Sequence, residues 1–193
     1  MLYMKNFLFT IIICFTLTIN DVHSQLSYKL GIEPKISIPI GETISGYKTG
    51  YGANFNTGLS FNQHLFYGIN FGYARFHAKD YVVGNVNITE NTVLNLWSFI
   101  LKTEYYFGEN KLQPYAGLEI GSNYSYATAN IPNENYTFVA KSWNLSLAAK
   151  LGLKYSLTEN WATTAATQYT YLYSKQGYIS FISFQTGLVY ELK

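Results

Sequence analysis

The sequence has one cysteine and four prolines in 193 residues, and only 12% of its residues are charged. A single cysteine excludes a disulfide scaffold. So little charge beside 48% apolar and 18% aromatic residues excludes a disordered chain. No basic run accompanies the formal charge of +2, so the electrostatic footprint of a nucleic-acid binder is missing and no nucleic-acid partner is expected. Past the N-terminus no window reaches the roughly 18 consecutive apolar residues of a transmembrane helix. Catalytic patterns are missing too. There is no HExxH, CxxC, GxSxG or Walker-like run, and His23, His64 and His77 have no partners at ligand spacing. The expectation is no enzyme, no metal and no cofactor.

Residues 1–24 carry Lys5, the 13-residue apolar run Phe7 to Ile19, and a short polar end through Asn20, Asp21, Val22, His23 and Ser24. These are the parts of a secretory signal peptide, since the run is too short to cross a bilayer and ends in small residues suited to cleavage after Ser24. Cys14 follows the bulky Ile13, where a lipid-attachment signal has a small residue, so it reads as filler of the run. The mature domain is expected to be 25–193, exported and free of cysteine.

What this domain has is alternation. Leu65, Tyr67, Ile69, Phe71 and Tyr73 interleave with Phe66, Gly68, Asn70, Gly72 and Ala74, and the same two-residue period runs through Tyr51–Phe61 and Trp143–Leu153. Weaker versions occur near 26–39, 93–107, 112–126, 161–173 and 178–192, giving eight strands. Pro34 cannot donate to a ladder, so a bulge or local break is expected there. The connections at 62–64, 108–111 and 158–160 are short, whereas 41–48, 78–92 and 127–140 are long. Short alternating with long predicts an antiparallel up-and-down barrel with one tight end and one loop-bearing end; the connection at 174–177 is brief although it falls on the loop side.

Two kinds of barrel fit: a secreted lipocalin-like cup with an apolar interior, and a membrane barrel with an apolar exterior. Volume separates them. Bulky residues occupy one face, while Gly31, Gly52, Gly58, Gly68, Gly72, Gly117, Gly121, Gly152 and Gly187 recur on the other, and the inside of a narrow barrel has less room. The small, polar face is therefore expected to point inward with Lys29, Glu33, Lys102, Glu104, Glu119, Lys150 and Lys154. One lysine turned into mid-bilayer would cost about 2–4 kcal/mol. These charges are expected to plug the lumen by pairing, with a narrow conduit as the alternative. Trp97, Trp143 and Trp161 near strand starts, and Tyr105, Phe107, Tyr155, Tyr169 and Tyr171 near strand ends, fit membrane interfaces.

Gln185, Gly187, Tyr190 and Leu192 match the polar-x-Gly-x-x-aromatic-x-hydrophobic pattern of a C-terminal outer-membrane assembly signal, from which Lys193 departs by following the last hydrophobic residue. With the signal segment and eight strands, the chain resembles the small outer-membrane β-barrel domain family typified by the OmpA transmembrane domain and OmpX. That resemblance implies an all-β fold, an eight-stranded antiparallel transmembrane barrel in a bacterial outer membrane, with termini in the periplasm and the longer connections outside. Its implied partners are outer-membrane lipid and lipopolysaccharide, the barrel-assembly machinery, and a surface protein or host molecule; it transfers no catalytic residue. The role is read as structural or adhesin-like, the alternatives being a narrow channel or secretion accessory and the lipocalin-like binder. Tyr81, Tyr124, Tyr126, Tyr136 and Phe138, with Val82, Val83, Ile88 and Ile131, are apolar for exposed connections; strands extending beyond the membrane explain them most simply, and a binding rim is the sharper reading.

Overall fold

The computed structural model describes residues 26–41, 46–61, 64–79, 82–83, 86–87, 92–131, 136–174 and 177–192, with backbone only for 82–83, 86–87, 129–131, 136–138 and 174. The targeting segment, Tyr81 and Ile88 lie outside the described residues, as do the side chains of Val82, Val83, Ile131, Tyr136 and Phe138.

Eight strands carry the alternation: β1 Ser27–Ile40, β2 Gly50–Phe61, β3 Leu65–His77, β4 Val93–Tyr106, β5 Leu112–Ile131, β6 Tyr136–Ser156, β7 Trp161–Ser174 and β8 Gly177–Leu192. Each pairs antiparallel with the next, and β1 pairs with β8 from Tyr28–Leu192 to Ile40–Ser180, closing the barrel. Closure leaves no sheet edge around the wall. The loop after β3 adds a small antiparallel pair, Val82–Val83 with Val86–Asn87.

Four expectations meet the structure, two of which it corrects and two of which it bears out. First, the connection expected at 127–140 is mostly strand, because β5 and β6 stay in register up to Ile131–Tyr136. Tyr124 and Tyr126 therefore sit on β5, and Trp143 lies well inside β6 instead of at its start. Alternation continues through Tyr124, Tyr126 and Lys141, so nothing there signals a turn before Pro132 and Asn133. Second, of the bulge or local break expected at Pro34, the structure shows the local break. Pro34 pairs with Ala53 on β2, and the β8 ladder only skips Glu33 and Pro34 between Ile32–Leu188 and Lys35–Gln185, with the same register on both sides. The missing N–H interrupts hydrogen bonding without adding a residue.

Third, the inner face is not uniformly small. Phe66, Tyr106 and Tyr115 form one buried cluster and Phe76, Leu94, Leu96, Leu172 and Phe181, with Ala74, another. Glycines make room for the rings. A Cβ on Gly152 would meet the Tyr115 ring of β5 at 2.6 Å, and one on Gly58 of β2 would meet the Phe66 ring of β3 at 2.9 Å, so each ring takes the space over the bare backbone of a neighbouring strand. Fourth, as expected, the inside is polar and charged between these clusters and the outside is apolar, the reverse of a lipocalin-like cup; that alternative is not favoured.

Exposure of the outer side chains is large: Leu118 65%, Leu151 68% and Trp143 70%. Each such side chain left in water forgoes about 1.5–3 kcal/mol, so this surface needs an apolar solvent. Two aromatic rows bound it. Near the short turns lie Tyr105 and Phe107, ring centroids 5.0 Å apart, and Trp161 and Tyr190, 4.8 Å apart. Toward the loops, register sets Tyr73, Trp97, Tyr124 and Trp143 side by side across β3 to β6. On β6, twelve residues separate Trp143 from Tyr155. That is about 40 Å along a strand, or about 30 Å along the axis at a tilt of ~40–45°.

Candidate functional site

Strand parity directs one set of side chains into the lumen. All seven charged residues singled out from the sequence are there, each at most 6% exposed. Three more inward-facing charged or polar residues join them that the sequence reading did not single out: Glu191, Lys35 and Gln168.

At the short-turn end, Lys29 and Lys154 share one carboxylate oxygen of Glu191, Lys29 at 3.4 Å and Lys154 closer. Both ammonium groups lie over the Tyr106 ring, 4.4 and 5.3 Å from its centroid. A mouth cavity of about 450 Å³ opens above them, lined also by Ser60, Gln113 and Asn160. Beneath the ring, Tyr106 donates to Glu104 at 2.7 Å, and Glu104 pairs with Lys102 at 3.0 Å and Lys150 at 3.6 Å. Lys150 also donates to Glu33 at 2.8 Å. Each charge of these two clusters thus has an opposite neighbour, which is what keeps such groups tolerable out of water.

On the loop side of the ion pairs a directed relay crosses the lumen. Lys35 donates to Asn54 at 2.7 Å, Asn54 to Gln185 at 3.2 Å, Gln185 to Gln168 at 3.0 Å and Gln168 to Glu119 at 2.8 Å. A cation begins the chain and a carboxylate ends it, so every amide dipole points the favourable way. Glu119 is therefore joined to the relay and not to the four-membered ion-pair cluster. Toward the loops, Ser37 and Ser183 bond at 2.7 Å, and the Phe76, Leu96, Leu172 and Phe181 cluster closes the passage. Past the mouth cavity, packed groups of three kinds follow one another along the lumen, with two voids of only about 20 Å³ between them.

The C-terminal pattern residues divide between the two faces. Gln185 is buried in the relay, Gly187 faces inward, and Tyr190 and Leu192 face outward, Tyr190 against Trp161. A Cβ on Gly187 would meet Glu33 Cγ at 2.7 Å and Thr164 Oγ1 at 2.6 Å, so this glycine makes the space in which Glu33 reaches Lys150.

Of the candidate rim, Tyr124 packs at a tilt against Trp143 with ring centroids 5.1 Å apart, and Lys141 lies over Tyr126 at 5.7 Å. Both contacts belong to a hairpin, since the β4–β5 ladder stops at Val93–Thr128 and the described β6–β7 ladder starts only at Leu145–Tyr173. Beyond those points β5 and β6 pair with each other alone, up to Ile131–Tyr136.

The missed residues were within reach of parity. Lys35 shares the face of Lys29, Gly31 and Glu33, and Glu191 that of Gln185 and Gly187. Gln168 sits in the Thr-Ala run of β7, where both faces are small and parity carries no contrast.

Known proteins agree with this architecture. A comparison with curated protein sequences finds no match. Among solved structures, the chain is similar to Neisserial surface protein A, with 15% identity, TM-score 0.57, and coverage of 86% of this chain and 96% of that one. It is also similar to Ail, the attachment invasion locus protein of Yersinia pestis, at 17% identity and TM-score 0.56, covering 89% and 100% of the two chains. A major outer membrane protein from Thermus thermophilus shares 11% identity at TM-score 0.60, over 86% and 99%. At such identities these likenesses establish the fold. The family described as outer membrane protein beta-barrel domain matches residues 17–191. The apolar wall between two aromatic rows is thus a lipid-facing surface, and the chain belongs to the outer membrane protein β-barrel domain family.

Proposed function

We propose that the barrel is a surface-interaction protein of adhesin type, anchored in the outer membrane with its short turns and termini in the periplasm and its loop end outside. The observation that carries this reading is the β5–β6 hairpin, which continues past its neighbours' ladders, to Ile131–Tyr136, above the Tyr124–Trp143 row. It carries Val139 and Lys141 past the described β6–β7 ladder, Lys141 over the Tyr126 ring, with one side of β6 free of described partners up to Asn144. Unpaired strand edges and apolar groups held above a membrane are suited to meeting another molecule. The packed lumen argues against the narrow-conduit reading. The likeness to a protein named for attachment and invasion adds an associational argument.

The test replaces residues 127–140 by a short Gly-Ser turn in cells displaying the protein. Binding of those cells to epithelial monolayers should fall to that of cells lacking the protein, while the barrel still fractionates with the outer membrane and shows heat-dependent gel mobility. Binding unchanged by the deletion would overturn the adhesive role of the hairpin and leave a structural one.

A further inference from the structure

On the outer face, bulky side chains give way along one row. Register sets Ala165 of β7 opposite Thr186 of β8 and Pro34 of β1 opposite Ala53 of β2, and the uninterrupted β1–β8 register brings Thr186 and Pro34 together. Larger neighbours border these four small side chains, among them Ile36, Phe184, Leu151 and Leu153, leaving an outward-open groove of about 1000 Å³. The row is slanted. Ala165 lies four residues from the short-turn end of β7, and Ala53 eight from that of β2, so the groove climbs toward Tyr73 and Tyr51. From Ala165 to Tyr73 it crosses four strand spacings, about 19 Å at ~4.8 Å each.

Arg75 stands at the upper end. It is the register partner of Tyr51 and lies one outward position beyond Tyr73 toward the loops. Its Nε is buried without a hydrogen-bond acceptor, and among the described residues it has no ion-pair partner. Beside it His77 stacks on Tyr51 at 6.5 Å. A guanidinium with an unanswered N–H, one outward position on the loop side of the aromatic row, calls for a planar oxyanion pair.

We propose that this face binds one phosphorylated lipid, the phosphate on Arg75 and one acyl chain along the slanted groove. The inference rests on the membrane location given above. Hydrocarbon is the medium around the groove and phosphate is the anion at head-group height. A second copy of the barrel fits less well, because every described carboxylate lies in the lumen (Glu33, Glu104, Glu119, Glu191) or on a short turn (Glu109, Glu159), so a copy brings no strand-borne anion to Arg75.

Native mass spectrometry of the detergent-folded barrel, with bisphosphorylated lipid A and the same lipid stripped of phosphate as probes, tests the site. The wild type should retain one phosphorylated lipid at least tenfold over the stripped form. Arg75→Gln should abolish that preference, Arg75→Lys should keep part of it, and the outward substitution Thr186→Phe should lower retention of both probes. Equal retention of the two lipids by the wild type, an unchanged preference in R75Q, or a lipid-free dimer in their place overturns the proposal. Heat-dependent gel mobility identifies folded variants. Cell fractionation reads the membrane location separately, so failure of location and failure of the lipid site give different results.

Discussion

Lys150 of β6 and Glu33 of β1 meet inside the barrel at 2.8 Å, although 117 residues separate them and their strands are not neighbours. The contact spans the lumen and ties opposite walls together. Lys150→Met strands Glu33 and weakens the hold on Glu104, and should cost about 3–5 kcal/mol. Glu33→Gln should also destabilise, and the double variant should be less unstable than the sum of the two. Urea unfolding in detergent micelles measures all three; strict additivity would mean that the pair does not act as a unit.

Gly152 is predicted to be intolerant of even one methyl group. Gly152→Ala sets a Cβ at 2.6 Å from the Tyr115 ring, and overpacking of this kind costs about 1–3 kcal/mol. The temperature at which the folded gel band disappears should drop. Ala149, on the outer face of the same strand, should accept Leu without such a loss, and equal sensitivity at both positions would remove the aromatic-over-glycine explanation.

Within the relay, Gln168→Leu deprives Glu119 of its only side-chain donor among the described residues, since its other oxygen is already without a partner. Leaving a buried acceptor unsatisfied costs about 1–3 kcal/mol, and more when it is charged. Gln168→Asn, which keeps the amide but shortens the reach, should fall between. Equilibrium unfolding as stable as wild type for the leucine variant would show that Glu119 does not depend on this bond.

The lumen should not conduct. In planar bilayers the purified wild type is expected to pass no steady current above leak, and so is Phe76→Ala/Phe181→Ala, because the relay and the ion pairs still fill the passage below the apolar cluster. An ohmic current through the wild type would remove the packed-lumen reading.

How much of this was legible depends on contrast between faces. Along β3, Leu65 to Tyr73 against Gly68 and Gly72 announces both the strand and its inward side, and the seven charges follow from the same parity. Where contrast fades the reading stops. Gln168 is hidden in a run of threonine and alanine, and Phe66, Tyr106 and Tyr115 fill an interior that volume arguments keep small, because a ring can use the space of a glycine on the next strand. Strand extension beyond the membrane was legible in the aromatic loop residues but its bounds were not, because membrane-crossing and protruding residues share one alternation. Nothing local in a sequence pairs Lys150 with Glu33, since that contact exists only once the sheet has curled shut.

The seam between Tyr28 and Leu192 brings the first strand of the barrel against the last. Such a molecule has no finished half. Until the final strand has been synthesised and exported, β1 faces a gap, and a truncation within β8 would leave two raw flanks exposed to degradation or clumping. Escorting of the nascent polypeptide is therefore a demand of topology, whatever its surface later touches.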